Sequence, residues 1–134
     1  LKEAGARRAV ILNVSGPFHS SLLTGAGEKL EKVLDELTIR KPEIPYVANV
    51  NASYITEQED IKPLLVQQVS NSVRWQQSVE TMVANGVDTF IEIGPGKTLA
   101  GFNKKIGKAI GKELTTYNVS TMEEIDALAA ALAK

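Results

Sequence analysis

The clearest indication of the fold is the sequence Thr89-Phe90-Ile91-Glu92-Ile93-Gly94-Pro95-Gly96-Lys97-Thr98. Its first five residues are mostly β-branched or aromatic, which is typical of a strand, and the glycines after them permit a sharp turn. Apolar residues then return at helical spacing, at Leu99, Phe102, Ile106 and Ile110. This order of strand, glycine turn and helix predicts an α/β unit.

The same two patterns alternate along the rest of the chain. Strands are predicted over 8–14, 46–50 and 115–119, and helices over 22–37, 56–69, 72–85, 99–110 and 121–134. Two of these helices start with capping-box spacing, Thr56 with Glu59 and Thr121 with Glu124. The alternation favours an α/β fold with a mainly parallel sheet.

Composition narrows the function classes. The chain has 134 residues, 43% of them hydrophobic and 23% charged, which indicates a single soluble domain with a core of its own. A formal net charge of −1 gives no reason to expect nucleic acid or a membrane as the main partner. There is no cysteine, no apolar span and no signal-peptide pattern, so we expect a cytoplasmic protein without disulfides.

The sequence contains one histidine, His19, within Val14-Ser15-Gly16-Pro17-Phe18-His19-Ser20-Ser21. It stands between a predicted strand and a predicted helix, the position where α/β folds bind ligands, so it is a candidate general base. A structural, hydrogen-bonded histidine is the alternative. No serine of the chain lies in a Gly-x-Ser-x-Gly motif, and no residues have the spacing of a metal site.

The glycine turn and the helix after it also leave alternatives open. A nucleotide-binding P-loop needs a glycine five positions before Gly96, where this chain has Ile91, so that motif is excluded. The turn is then either purely structural or an anion contact at a helix N-terminus. Between residues 97 and 112 there are five lysines and no acidic residue, which indicates either a solvated face or a docking surface for an acidic partner.

Three motifs in order resemble the carboxy-terminal part of malonyl-CoA:acyl-carrier-protein transacylases, and the resemblance runs essentially from end to end. They are Val-Ser-Gly-Pro-Phe-His-Ser (14–20), Gln-Gln-Val-Ser-Asn-Ser-Val-Arg-Trp (67–75) and Phe-Ile-Glu-Ile-Gly-Pro-Gly-Lys-Thr-Leu (90–99). The resemblance implies transfer of a malonyl group from malonyl-CoA to the phosphopantetheine thiol of acyl carrier protein in fatty acid biosynthesis, through an acyl-serine. Coenzyme A enters as a thioester substrate, and no other cofactor is expected. The implied fold is part of an α/β-hydrolase-like core (15–134) with the end of a ferredoxin-like small subdomain (1–14).

The resemblance also assigns roles to residues. It makes His19 the general base and acid, with the backbone carbonyl of Gln68 as the partner that orients its ring. Substrate-binding positions are Ser15, Gly16, Pro17 and Phe18, which would shape the acyl pocket, and Asn49, which would line the cleft. Phe18 would favour malonyl over methylmalonyl groups. Contacts with the carrier protein or with coenzyme A phosphates are implied for Lys97, Lys104 and Lys105.

Departures from the family pattern are equally specific. The nucleophilic serine of a Gly-His-Ser-x-Gly elbow, the arginine that pairs with the malonyl carboxylate and the glutamine of the oxyanion hole have no counterpart here. The first residues, 1–4, resemble the last turn of a helix closed by Gly5, as if the chain were cut. We therefore expect a missing amino-terminal portion as a partner and no turnover by this chain alone. The alternative function is a non-catalytic module that binds acyl carrier protein.

Overall fold

The computed structural model describes residues 3–11 and 13–133. A short 3₁₀ turn at Ser21–Leu23 leads into the first helix. The helices are α1 (Thr24–Asp35), α2 (Gln58–Ser70), α3 (Trp75–Ala84), α4 (Thr98–Ala109) and α5 (Met122–Leu132), and the strands are β1 (Tyr46–Ala48), β2 (Ser53–Ile55), β3 (Thr89–Ile93) and β4 (Thr115–Val119). The α/β class is confirmed, whereas a single, mainly parallel sheet is wrong for the described residues.

Two small sheets replace the predicted one. β1 and β2 form an antiparallel hairpin in which Tyr46 faces Ile55, and β3 and β4 pair in parallel from Thr89 opposite Thr115 to Ile93 opposite Val119. The parallel pair follows from the strand–turn–helix pattern, since α4 supplies the crossover that parallel strands need. Strand β2 was missed because Asn49, Asn51 and Ser53 indicate a turn. The turn is real, but it is short enough to connect two strands.

The predicted strand over 8–14 is also wrong, because residues 8–11 and 13–14 have no regular structure. Leu12 lies outside the described residues, as do Leu1, Lys2 and Lys134, on which the predicted helix end at 1–4 and the exact end of the last helix depend. A strand needs a neighbour for its backbone N–H and C=O groups, and no described strand pairs with this segment. Ile11 is 98% exposed.

The helices agree with prediction more closely than the strands. α5 begins at the Thr121–Glu124 capping box, as predicted. α2 begins two residues after Thr56, with Glu57 at its N-cap position and no side-chain cap. α3 begins at Trp75 instead of Ser72, because the backbone of Arg74 is not helical (φ −97°, ψ 56°); its N–H donates to the Asn49 carbonyl.

Packing of α1 on α2 positions the segment around His19. A Cβ on the buried Gly27 of α1 would lie 3.3 Å from the carbonyl oxygen of Val66 on α2, so the two helix backbones approach closely at this point. Below them, Ala48, Ile55 and Ile61 form a buried cluster with Tyr46 and Leu64. α2 is therefore held between α1 and the β1–β2 hairpin.

Candidate active site

The turn that carries His19 precedes the 3₁₀ turn and α1. His19 has φ 57°, a left-handed conformation that costs a residue with a side chain about 1 kcal/mol or more. Histidine is one of the side-chain residues found there more often than most. The Ser20 hydroxyl donates to the Pro17 carbonyl at 2.7 Å, and the Leu23 N–H donates to the Ser20 carbonyl at 3.0 Å. These bonds fix the turn while leaving the His19 side chain exposed.

The His19 ring meets the end of α2. Its Nδ1 atom lies 2.8 Å from the backbone carbonyl oxygen of Gln68, which is 49 residues away in sequence. A carbonyl oxygen can only accept, so Nδ1 carries the hydrogen and donates it. The neutral ring then has its lone pair on Nε2, and it can take a proton there from a hydroxyl or a thiol.

The position of Gln68 explains why its carbonyl is available. α2 ends at Ser70, so Gln68 is one of the last four residues, whose carbonyls have no partner within the helix. The same end of a helix carries the negative pole of its dipole. The ring of His19 satisfies this carbonyl and is oriented by it.

The other predicted substrate-binding residues of this turn surround His19 in sequence and are accessible. The ring of Phe18 is 63% exposed and lies over the backbone of Gly16, where a Cβ would be 3.5 Å from the tip of the ring. Ser15 and Pro17 are exposed and Gly16 is half-buried. The turn therefore presents an exposed aromatic side chain at the residue directly before His19.

Asn49 lies apart from that group. It is half-buried in the loop between β1 and β2, and its backbone carbonyl accepts the N–H of Arg74 at 2.9 Å. Within the described residues, no hydrogen bond joins it to the His19 turn. The structure connects Asn49 to the start of α3.

Glu92 was not singled out from the sequence, and it decides between the two interpretations of the glycine turn. Its carboxylate oxygens accept the backbone N–H groups of Leu99 at 3.0 Å and Ala100 at 2.9 Å, at the start of α4. An anion at this helix N-terminus would need these donors. The structure therefore favours the structural role of the turn. An acidic residue just before a strand-to-helix turn is the signal in the sequence.

The predicted lysine contacts divide between two surfaces. Lys97 and Lys104 line an open groove of about 570 Å³ together with Lys108, Lys112 and one acidic residue, Glu113. Lys105 lines a separate groove of about 280 Å³, where its neighbours include Trp75 and Phe102. The first groove has an excess of positive charge, which suits an anionic partner.

Within the described part of the chain, no cluster of three or more histidine, aspartate or glutamate side chains could hold a metal ion. None of the helices within 3–11 and 13–133 is long and apolar enough to cross a membrane.

The chain is similar to known proteins over nearly all of its length. No family model matches the chain. The malonyl CoA-acyl carrier protein transacylase of Bacillus subtilis is 47% identical over 125 residues, which are 93% of this chain and 38% of that protein. The crystal structure of malonyl CoA-acyl carrier protein transacylase from Clostridium perfringens superposes with a TM-score of 0.84 at 42% identity, over 98% of this chain and 40% of that one.

A third relative was solved as a malonyl-transacylase in complex with a type II PKS acyl-carrier protein. It superposes with a TM-score of 0.82 at 38% identity, over 96% of this chain and 41% of that one. The chain thus spans about two fifths of the length of the relatives that it matches. In sequence and in fold, the resemblance of this chain to the malonyl-CoA:acyl-carrier-protein transacylases is confirmed over that length.

Proposed function

We propose that this chain supplies the acid–base histidine and one wall of the acyl pocket to a malonyl-CoA:acyl-carrier-protein S-malonyltransferase of fatty acid biosynthesis. The observation that carries the proposal is the contact of His19 Nδ1 with the Gln68 carbonyl at 2.8 Å, which leaves Nε2 as the basic atom. The nucleophilic serine belongs to a portion of the enzyme that this sequence does not contain. Coenzyme A is the substrate's thiol carrier, and no other cofactor takes part.

The reaction has two half-steps with one proton carrier. Nε2 of His19 takes the serine proton while the serine oxygen attacks the thioester carbonyl of malonyl-CoA. Collapse of the tetrahedral intermediate breaks the carbon–sulfur bond, and the imidazolium gives its proton to the departing coenzyme A thiolate. In the second half, the pantetheine thiol of the carrier gives its proton to Nε2, attacks the malonyl-serine ester and releases the serine, which takes the proton back.

Fold-level details belong to the same proposal. Residues 15–134 form part of an α/β-hydrolase-like core, and residues 1–14 are the end of a ferredoxin-like small subdomain. Several apolar side chains are exposed, among them Ile11 at 98% and Ile93 at 78%. Their exposure supports the proposal that a complementary portion of the enzyme covers them. A cytoplasmic location is proposed together with this role in fatty acid biosynthesis.

The groove lined by Lys97 and Lys104 is the proposed contact for the acidic carrier protein or for coenzyme A phosphates. Four lysines against one glutamate give it the charge that either partner needs. Lys105, on the adjacent groove with Trp75 and Phe102, would add an apolar and cationic contact beside it. Asn49 is proposed to line the cleft.

A reconstitution experiment tests the proposal. Malonyl transfer from malonyl-CoA to holo acyl carrier protein is measured with this chain alone and with the portion of the Bacillus subtilis transacylase that it does not match. We expect transfer only in the mixture, and a loss of about 10²–10⁴-fold for His19→Ala. Gln68→Ala is the matched control, and it should retain most of the rate because the backbone carbonyl remains. Transfer by the chain alone would refute the proposal that the nucleophilic serine lies outside this sequence.

A second function, a non-catalytic module that binds acyl carrier protein, is favoured by the lysine groove together with the lack of a Gly-x-Ser-x-Gly serine. It requires that the chain alone binds holo carrier protein in a titration. Binding by the chain alone, with no transfer after proven reassembly, would favour this alternative.

A further inference from the structure

We infer that Asn71 is the positioning residue that ends α2 at the point where the Gln68 carbonyl becomes available to His19. The inference rests on the proposed function for its importance, but its geometry stands in this chain alone. Asn71 does not contact His19. It acts through the helix end that the imidazole meets.

Two hydrogen bonds from Asn71 converge on one carbonyl. Its backbone N–H donates to the Gln67 carbonyl at 3.1 Å, and its side-chain Nδ2 donates to the same oxygen at 2.7 Å. The Gln67 carbonyl is therefore fully occupied. The next carbonyl along the helix, that of Gln68, accepts Nδ1 of His19 instead.

Backbone conformation at Asn71 explains why Gln68 is left free. In a continuing helix, the N–H of residue 72 would donate to the carbonyl of residue 68. Asn71 is extended, with φ −114° and ψ 153°, so the chain leaves the helical path before Ser72 can make that bond. The side-chain amide of Asn71 adds a second hydrogen bond to the Gln67 carbonyl, which stabilises the extended ending. His19 takes the place of the missing donor.

The chain contains a matched control for this device. Asn85 ends α3, where its Nδ2 donates to the carbonyl of Thr81, four residues earlier, at 2.8 Å. The spacing and chemistry of the side-chain bond are those of Asn71 and Gln67. Among the described residues, however, α3 makes no hydrogen bond to His19. Replacing either asparagine removes the same kind of cap, and only one of the two replacements should affect the imidazole.

The experiment uses the single histidine as its own reporter. The ¹⁵N spectrum of the His19 ring is recorded for the wild-type chain, Asn71→Ala and Asn85→Ala at about pH 9, where an imidazole is neutral. The wild-type chain should show the Nδ1–H tautomer. Because alanine is the strongest helix former, Asn71→Ala lets α2 continue and Ser72 compete for Gln68. The ratio of Nδ1–H to Nε2–H should then fall roughly three- to tenfold, as expected from loss of one hydrogen bond, and Asn85→Ala should leave it unchanged.

A second variant keeps the inference falsifiable if Asn71→Ala loses its folded amide spectrum. Asn71→Gly removes the side-chain bond but disfavours continuation of the helix, so it should lower the ratio less than alanine does. An unchanged ratio in the folded Asn71 variants, or an equal fall in Asn85→Ala, would overturn the role of Asn71. A wild-type ring in the Nε2–H tautomer would instead refute the His19–Gln68 contact on which the proposed function depends.

Discussion

Two turns of this molecule lead into helices, and they differ in how they are held. The glycine turn, 94–97, is fixed by hydrogen bonds on both sides. The carboxylate of Glu92 accepts two N–H groups at the start of α4, and the N–H of Gly94 donates to the carbonyl of Val119 on the neighbouring strand. Asn118 adds contacts to the carbonyls of Glu92 and Gly94. The His19 turn, 15–20, has one internal side-chain hydrogen bond, from Ser20 to Pro17, and is joined to α2 by the hydrogen bond between His19 and Gln68.

The glycine turn stabilises the start of α4, whereas the His19 turn carries a side chain that can take part in a reaction. At the glycine turn, the carboxylate of Glu92 is occupied by two backbone donors, so it is not available to a substrate. In the His19 turn, one ring nitrogen orients the imidazole and the other stays free, at a residue with φ 57° and an exposed side chain. Strained and accessible turns of this kind occur at functional sites.

The largest effect that would test this contrast is on stability. Glu92→Ala leaves the N–H groups of Leu99 and Ala100 without their partner at the start of α4. Hydrogen bonds to a charged group contribute about 1.5–3 kcal/mol each, so loss of both should lower the free energy of unfolding by about 3–6 kcal/mol. Urea-induced unfolding measures the change.

Glu92→Gln is the matched control, because it retains an acceptor oxygen and should lose roughly half as much. The tautomer of His19 should be the same in both variants. A loss of less than about 0.5 kcal/mol for Glu92→Ala would mean that the glycine turn is no more firmly held than the His19 turn.

An intermediate effect is expected on selectivity at the His19 turn. Phe18→Ala removes the ring that lies over Gly16, at the residue directly before His19. In the reassembled enzyme, the kcat/KM for methylmalonyl-CoA relative to malonyl-CoA should rise about tenfold, since one methyl group discriminates by about 1–3 kcal/mol. Leu22→Ala removes another exposed apolar side chain nearby and should leave the ratio unchanged. Equal ratios for the wild type and Phe18→Ala would show that the ring does not border the acyl pocket.

Local patterns in the sequence predicted the glycine turn better than the His19 turn. The order β3, turn, α4, β4 and α5 follows from residues close together in the chain, and the Thr121–Glu124 box marks the start of α5 correctly. The segment 8–14 has the composition of a strand, but no described strand pairs with it. Its local preference is therefore not sufficient to make it a strand.

Long-range contacts could not be predicted in the same way. His19 and Gln68 are 49 residues apart, and nothing in their spacing joins them; only the resemblance to the transacylases pointed to this pair. The sequence places Glu92 in a strand, and its role as an acceptor appears only when that strand lies beside the start of α4. Lys97, Lys104 and Lys105 formed one group in sequence, yet the helix divides them between two grooves.

The smallest effect expected is a dependence of stability on acid in the part of the chain around the glycine turn. The pKa of Glu124 is lowered by hydrogen bonds from the Ser120 backbone and hydroxyl and from the Thr121 backbone. Since the folded-state pKa lies below the unfolded one, the carboxylate stabilises the fold above its ordinary pKa of 4.5 and loses this contribution as pH falls through the folded-state value. Urea unfolding of the wild type and Glu124→Gln should therefore differ near neutral pH and converge in acid. A difference that stays constant from about pH 7 to 3 would show that the Glu124 charge has no part in the cap.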